Sequence, residues 1–206
     1  MKQHKKAMCL LLILVIAVSL ASCGTQGARE TAADTTGAVA QEPVTRVVFS
    51  EKFLNVAENS PEDWVESLIK FSQGQYTDIY VNEDGLTVTM EITREQADSW
   101  KERVDSWLTI LQSNFAAVDP SYQIVISGDY SHIDFYYDLN LPAEDAVYYV
   151  INVEVYCAFR QLLNCAGADD WKVFCDIYNS GTGKLVTSGD SDTGMSYEAS
   201  DWEASE

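Results

Sequence analysis

The sequence predicts an α+β fold in which an antiparallel sheet of about six strands carries three helices on one face. Three segments have apolar residues at helical spacing, and each is followed by two short stretches of alternating polar and apolar residues. Short connections between paired strands favour antiparallel pairing, and amphipathic helices need an apolar sheet face to cover. The paired stretches begin near residues 76, 122 and 171. We therefore predict one helix-hairpin unit that is repeated three times.

The first unit opens with a clear helix start. Ser60 is a candidate N-cap, and Pro61 suits the first helical position because its fixed backbone angle is already helical. The hairpin that follows is predicted over residues 76–82 and 86–93. Asp84-Gly85 lies between these alternating runs, and an Asp-Gly pair in that position favours a tight turn.

The second unit contains the longest apolar stripe of the chain. It begins with the capping-box pair Thr93 and Gln96 and stops at Asp119-Pro120. A third helix opens at Pro142, with acidic residues in its first turn. The remaining predicted elements are strands over 122–127 and 133–139, the third helix over 142–164, and strands over 171–178 and 184–188.

Alternation along the predicted strands assigns one face of the sheet to the core and leaves the other face to solvent. The outward parity mixes aromatic rings with carboxylates, and such a mixture can stack on sugar rings or peptide side chains and attract cations. The same residue types are also common on an ordinary half-exposed sheet. The binding residues that we predict on this face are Tyr80, Tyr136, Phe174 and Tyr178.

The first 23 residues read as an export signal. Lysines at the start precede an apolar run of about fourteen residues, which is shorter than the roughly twenty that span a membrane. The run ends on Leu20-Ala21-Ser22-Cys23, which resembles the lipobox of bacterial lipoproteins. That resemblance implies that the Cys23 thiol receives a diacylglyceryl group, that residues 1–22 are removed, and that the chain stays on the outside of the membrane. The alternative is an uncleaved anchor with an incidental cysteine.

Composition divides the rest of the chain into three parts. Residues 23–44 are small and polar and cannot bury enough apolar surface to fold, so we predict a disordered tether after the lipidated Cys23. Residues 45–188 are periodic and aromatic and have the size of one α+β domain. Residues 189–206 are rich in acids without lysine or arginine, and we predict a solvated acidic tail.

The charge of the chain is strongly negative, at −19 with 13 basic and 32 acidic side chains. Removal of residues 1–22 takes away three lysines and no acids, which leaves 10 basic and 32 acidic side chains and a charge of −22. Nucleic acids and anionic lipid surfaces are bound through lysine and arginine patches, so this balance argues against both as partners. Cationic peptides and metal ions remain compatible with it, as does simple solubility.

The sequence gives little sign of catalytic or metal chemistry. After residue 23 it has a single histidine, His132, which we interpret as a surface turn residue because no nucleophile motif surrounds it. Zinc sites usually need several histidines or cysteines, so we predict no metal site and no cofactor. Asp190-Ser191-Asp192-Thr193-Gly194 is similar to the start of a calcium loop, but the later acidic ligands are missing.

Three cysteines remain after Cys23, which is an odd number for an exported chain. Helix and strand rises place Cys157 and Cys175 at similar heights above the turn near Gly167, so a bridge between them is geometrically possible. Cys165 lies too near the turn to oppose Cys175. We favour the simpler interpretation that all three are buried free thiols.

Several phrases of the domain resemble those of uncharacterised surface lipoproteins of Firmicutes. The phrases are Phe53 to Asn59, Val81 to Gly85 with Val88 to Met90 and Thr93, and Tyr178 to Lys184. They are structural turns and caps, so the resemblance implies a similar domain and transfers no activity and no site.

Two functional hypotheses follow. The first is a non-enzymatic surface lipoprotein that binds a wall-associated peptide, glycan or protein through the aromatic and acidic sheet face. The alternative is a structural component of the envelope, in which the same face mediates self-association or docking to a larger assembly. An enzyme that uses His132 or a carboxylate pair as acid and base is a third interpretation, which we do not favour.

Overall fold

The computed structural model describes residues 43–206. The predicted signal peptide, Cys23 and nearly all of the tether therefore lie outside the described residues. The helices are α1 (Glu51–Val56), α2 (Pro61–Ser72), α3 (Arg94–Val118), α4 (Ala143–Leu163) and α5 (Ala199–Ala204). The strands are β1 (Thr45–Phe49), β2 (Asp78–Val81), β3 (Val88–Ile92), β4 (Gln123–Ile126), β5 (His132–Tyr137), β6 (Phe174–Asn179) and β7 (Leu185–Asp190).

The local start signals form the contacts that the sequence predicts. The Ser60 hydroxyl accepts a hydrogen bond from the backbone N–H of Asp63 at 3.1 Å, and α2 begins at Pro61. Thr93 and Gln96 form both hydrogen bonds of a capping box at the start of α3. These contacts satisfy N–H groups that the first turn of a helix leaves unpaired.

The strands form two sheets, so the predicted single sheet of about six strands is wrong. The first sheet has the order β1-β3-β2 and the second has the order β4-β5-β6-β7. Strand β1 is the element that the prediction lacked. It pairs along the edge of β3 that β2 leaves free, from Thr45 opposite Ile92 to Phe49 opposite Val88. Strand β1 thus takes the place beside β3 that a strand of a neighbouring hairpin would need, and the first sheet ends at three strands.

The second sheet is also not fully antiparallel, because β5 and β6 pair in parallel. Helix α4 connects these two strands, and a strand-helix-strand crossover returns the second strand in the same direction as the first. The β4–β5 and β6–β7 pairs are antiparallel hairpins, as predicted. The α+β class is thus correct, and three helices are each followed by a hairpin, but the pairing between hairpins differs from the prediction.

The inward parity of the strands lines the core as expected. Ile133, Phe135 and Ile177 are each 0 % exposed, and Cys175 is also buried. Leu86 and Leu139 depart from the pattern and are exposed, because both lie outside the strands proper. The core continues through an aromatic cluster in which the Phe159 ring lies 5.0 Å from that of Phe49.

The last residues differ from the predicted solvated acidic tail. Strand β7 runs to Asp190, and α5 packs Trp202 into the core with 3 % exposure. The Trp202 ring lies 5.3 Å from Tyr137 and 6.0 Å from Tyr197. The many acids of this segment dominate its composition, but its two aromatic side chains bury enough apolar surface to hold it against the sheet.

The three cysteines from residue 43 onward are free thiols. Cys157 and Cys175 are buried, whereas Cys165 is exposed at the end of α4, which corrects the prediction that all three are buried. Burial raises the pKa values of the Cys157 and Cys175 thiols well above the ordinary value of a cysteine. Among residues 43–206, no helix has the length and apolarity needed to cross a membrane.

Candidate functional site

Strands β5 and β6 build a regular outer surface because they repeat one pattern in register. Both contain an aromatic or imidazole ring, then an aspartate and then a tyrosine at alternate positions. The parallel pairing places His132 opposite Phe174, Asp134 opposite Asp176, and Tyr136 opposite Tyr178. We call these six side chains the aromatic-acidic face. The residues between them point into the core, which fixes the direction of the six.

Stacked rings form the two ends of the aromatic-acidic face. The Tyr136 and Tyr178 rings lie 4.9 Å apart at an interplanar angle of 15°. The His132 and Phe174 rings are also stacked, with centroids 6.4 Å apart. Phe174 is 43 % exposed, which is unusual for a phenylalanine, and the Lys172 ammonium lies over its ring at 4.9 Å from the centroid.

The centre of the face is a carboxylate pair beside the imidazole. The Nε2 atom of His132 lies 3.1 Å from Asp134 Oδ1 and 3.2 Å from Asp176 Oδ2. The Tyr178 hydroxyl donates a hydrogen bond to Asp176 Oδ2 at 3.3 Å. Partial burial, together with the Asp176 and Asp134 carboxylates, raises the pKa of Tyr178, so this hydroxyl keeps its proton at neutral pH.

A network of ion pairs borders the face on the β7 side. Lys172 Nζ lies 2.9 Å from both Asp190 Oδ2 and Asp192 Oδ2, and Lys52 Nζ lies 2.7 Å from Asp192 Oδ1. The Lys172 ammonium holds the pKa of Asp190 well below its usual range. The two lysines thus form ion pairs with both aspartates of Asp190-Ser191-Asp192-Thr193-Gly194, the segment that is similar to the start of a calcium loop.

The face contains three of the four predicted binding residues. Tyr136, Phe174 and Tyr178 lie together on it, as the strand alternation predicted. Tyr80 does not join them, because it lies on β2 in the other sheet, with its hydroxyl 3.3 Å from Glu91 Oε1. The predicted lipidation residue, Cys23, lies outside the described residues.

His132 is the site residue whose role sequence reasoning missed. It is the first residue of β5 and takes part in a three-residue cluster, so it is not a turn residue, although its side chain is 43 % exposed at the surface as expected. The ring-x-Asp-x-Tyr pattern, present as His132-x-Asp134-x-Tyr136 and again as Phe174-x-Asp176-x-Tyr178, was the signal available. Parallel pairing places each ring opposite a ring and each tyrosine opposite a tyrosine, whereas the predicted antiparallel pairing would place each ring opposite a tyrosine.

Comparisons of the chain with protein-family models, with curated proteins and with solved structures give no match. They add nothing to the resemblance to Firmicutes lipoproteins, which stays a prediction.

Proposed function

We propose that this chain is a lipid-anchored extracytoplasmic protein that binds a wall-associated peptide, glycan or protein without catalysing a reaction. The observation that carries the proposal is the set of three in-register pairs on β5 and β6, which joins rings and carboxylates on one sheet surface. The anchor is proposed from the lipobox-like Leu20-Ala21-Ser22-Cys23, which would hold the protein at the membrane beneath the wall.

Among the three ligand classes, the face favours a wall peptide with free amino groups. Asp134 and Asp176 attract a cation, and the flanking rings offer surfaces over which an ammonium group and its alkyl chain can lie. The net charge of −22 after residue 22 raises the local concentration of cationic groups in the same way. An uncharged glycan would use the rings alone.

The proposal is tested by capture of the protein on purified cell-wall fragments. Phe174→Ala and Tyr178→Ala should each weaken capture, because removal of an interface ring that acts as a hot spot costs about 2 kcal/mol, or roughly 30-fold in affinity. Tyr80→Ala is the matched control, since it removes a half-buried tyrosine from the other sheet. Acetylation of the wall amino groups should weaken capture of the unmodified protein to a similar extent.

Each other outcome of this experiment has a definite meaning. Equal capture of all variants would refute the aromatic-acidic face as the binding surface. Capture that resists acetylation but is lost in Phe174→Ala would favour a glycan over a peptide. If Phe174→Ala instead abolishes a dimer seen by sedimentation and leaves capture unchanged, the face serves assembly.

The anchor is tested separately by metabolic labelling with a fatty acid. Cys23→Ala should abolish the label and release or misprocess the protein, because the thiol that receives the lipid is gone. Cys165→Ala is a suitable control, since it removes an exposed thiol from the folded part. Labelling that persists in Cys23→Ala would overturn the lipoprotein assignment.

A further inference from the structure

We propose that His132, Asp134 and Asp176 form a binding site for a divalent transition-metal cation, and that Zn²⁺ is the ion that suits these ligands best. One imidazole nitrogen and two carboxylate oxygens lie within 4.8 Å of one another. This inference goes beyond the proposed function and can be measured without any wall ligand, and it implies that Zn²⁺ and a ligand ammonium group compete for the same two carboxylates.

The two distances from the imidazole nitrogen to the carboxylate oxygens agree with tetrahedral coordination. Zn²⁺ binds imidazole nitrogen and carboxylate oxygen at about 2.0–2.1 Å, so two ligand atoms at a tetrahedral angle are about 3.3 Å apart. His132 Nε2 lies 3.1 Å from Asp134 Oδ1 and 3.2 Å from Asp176 Oδ2. Small side-chain adjustments would therefore suffice to place the ion between these atoms.

A single proton on the imidazole serves this cluster poorly. Nε2 makes a hydrogen bond with Asp134 Oδ1, and it approaches Asp176 Oδ2 at ion-pair distance only. One N–H has one direction, so it cannot point at both oxygens. The parallel register also fixes the two aspartates side by side, where like charges repel. A divalent cation would attract all three atoms at once and balance both carboxylates.

The surroundings hold the three ligands in place. All of them lie on strands of the sheet, whose backbones are paired on both sides. The Phe174 ring stacks on the imidazole with centroids 6.4 Å apart, and the Tyr178 hydroxyl donates to the same Asp176 oxygen that faces Nε2. Hydrogen bonds of this kind orient metal-binding carboxylates and are worth 10- to 100-fold in affinity in known sites.

The site is also open enough for an ion to enter and for a further ligand to bind. The side chains of His132, Asp134 and Asp176 are 43 %, 27 % and 20 % exposed. Three protein ligands leave the fourth tetrahedral position toward solvent, where water or an oxygen or nitrogen atom of a ligand would complete the coordination.

The inference is tested by calorimetric titration of the full chain, purified in a non-ionic detergent, with ZnCl₂. A Cys165→Ser background removes the exposed thiol of the folded part, which would bind zinc by itself. We expect Zn²⁺ binding that Asp176→Asn weakens by at least about tenfold, since that substitution removes a charged ligand. Asp190→Asn is the matched control. It removes the same charge from the neighbouring strand, and its affinity should stay within about twofold of the parent.

A second measurement follows the metal on the parent protein, and a variant serves only to assign the signals. The chain has two histidines, and the ring signals that disappear in His132→Gln identify those of His132 in nuclear magnetic resonance spectra. Zn²⁺ should shift the imidazole nitrogen signals of His132 in the parent protein. Signals that do not move at saturating Zn²⁺, equal affinity in Asp176→Asn, or an equal loss in Asp190→Asn would each overturn the proposal.

Discussion

Glu154 is a carboxyl of helix α4 whose surroundings connect the stability of the fold to pH. Burial, and then the nearby Asp190 carboxylate, raise its pKa to about 7, while Lys52 acts in the opposite direction. The ordinary pKa of the group is 4.5, so between these two values the folded chain holds a proton that the unfolded chain has lost. The free energy of unfolding therefore falls as pH rises from about 4.5 to about 7.

Glu154→Gln should remove this penalty. A shift of this size corresponds to at most about 3 kcal/mol, so we expect the variant to unfold with a free energy about 1–3 kcal/mol higher than the parent at pH 8. At pH 4 the two proteins should differ little, because the carboxyl is then protonated in both states. Urea unfolding at both pH values measures the difference.

Glu102→Gln is the control for this comparison, because Glu102 is an exposed glutamate on α3. Its effect should be small and similar at both pH values. A Glu154→Gln variant that is no more stable than the parent at pH 8 would show that ionisation of this carboxyl does not destabilise the folded chain.

The three free cysteines should differ in their reactivity toward iodoacetamide. The native protein should be modified at Cys165 alone, since Cys157 and Cys175 are buried and their raised pKa values suppress the thiolate. Under denaturing, non-reducing conditions, all three should react. Intact mass counts the modified thiols of the folded part, and a count of one in the denatured chain would instead indicate a Cys157 to Cys175 bridge.

At the scale of elements, helix α5 stabilises the fold, although its composition is acidic. Trp202 is 3 % exposed, and the Thr182 hydroxyl donates to the Ser205 carbonyl at 2.6 Å. Trp202→Ala should lower the free energy of unfolding by about 3–5 kcal/mol, as other large aromatic residues do when truncated in a core. Chemical denaturation measures this change.

Glu203→Ala provides the comparison, because Glu203 is an exposed acid in the same helix. It should change the free energy of unfolding by less than about 0.5 kcal/mol. If both variants unfold like the parent, α5 does not contribute to the core, and the prediction of a solvated acidic tail would be correct.

The elements themselves could be predicted where the determining contacts are local. Ser60, Thr93 with Gln96, and Asp84-Gly85 act within a few residues, and the corresponding helices and hairpin form where expected. Pairing between hairpins could not be predicted in this way. It depends on β1, whose residues are 39 to 47 positions from their partners in Val88–Ile92, and on the direction in which α4 returns the chain.

At the scale of the whole molecule, the difference between local and long-range contacts explains which site residues could be predicted from the sequence. Alternation within a strand correctly identified Tyr136, Phe174 and Tyr178 as outward-facing. It could not reveal that Asp134 meets Asp176 or that His132 joins them, because those contacts arise from the pairing of strands separated by α4. Tyr80 has the correct parity but lies on the other sheet, for the same reason.

The central claim is that the aromatic-acidic face binds a wall ligand, and amide chemical-shift mapping with soluble wall fragments tests it most directly. The largest shifts on addition of the fragments should fall on β5 and β6, over His132–Tyr137 and Phe174–Asn179. The Phe174→Ala variant should lose these shifts while its remaining spectrum stays unchanged. Shifts centred on the β1-β3-β2 sheet or on the helices, or none at saturating fragment, would contradict the account.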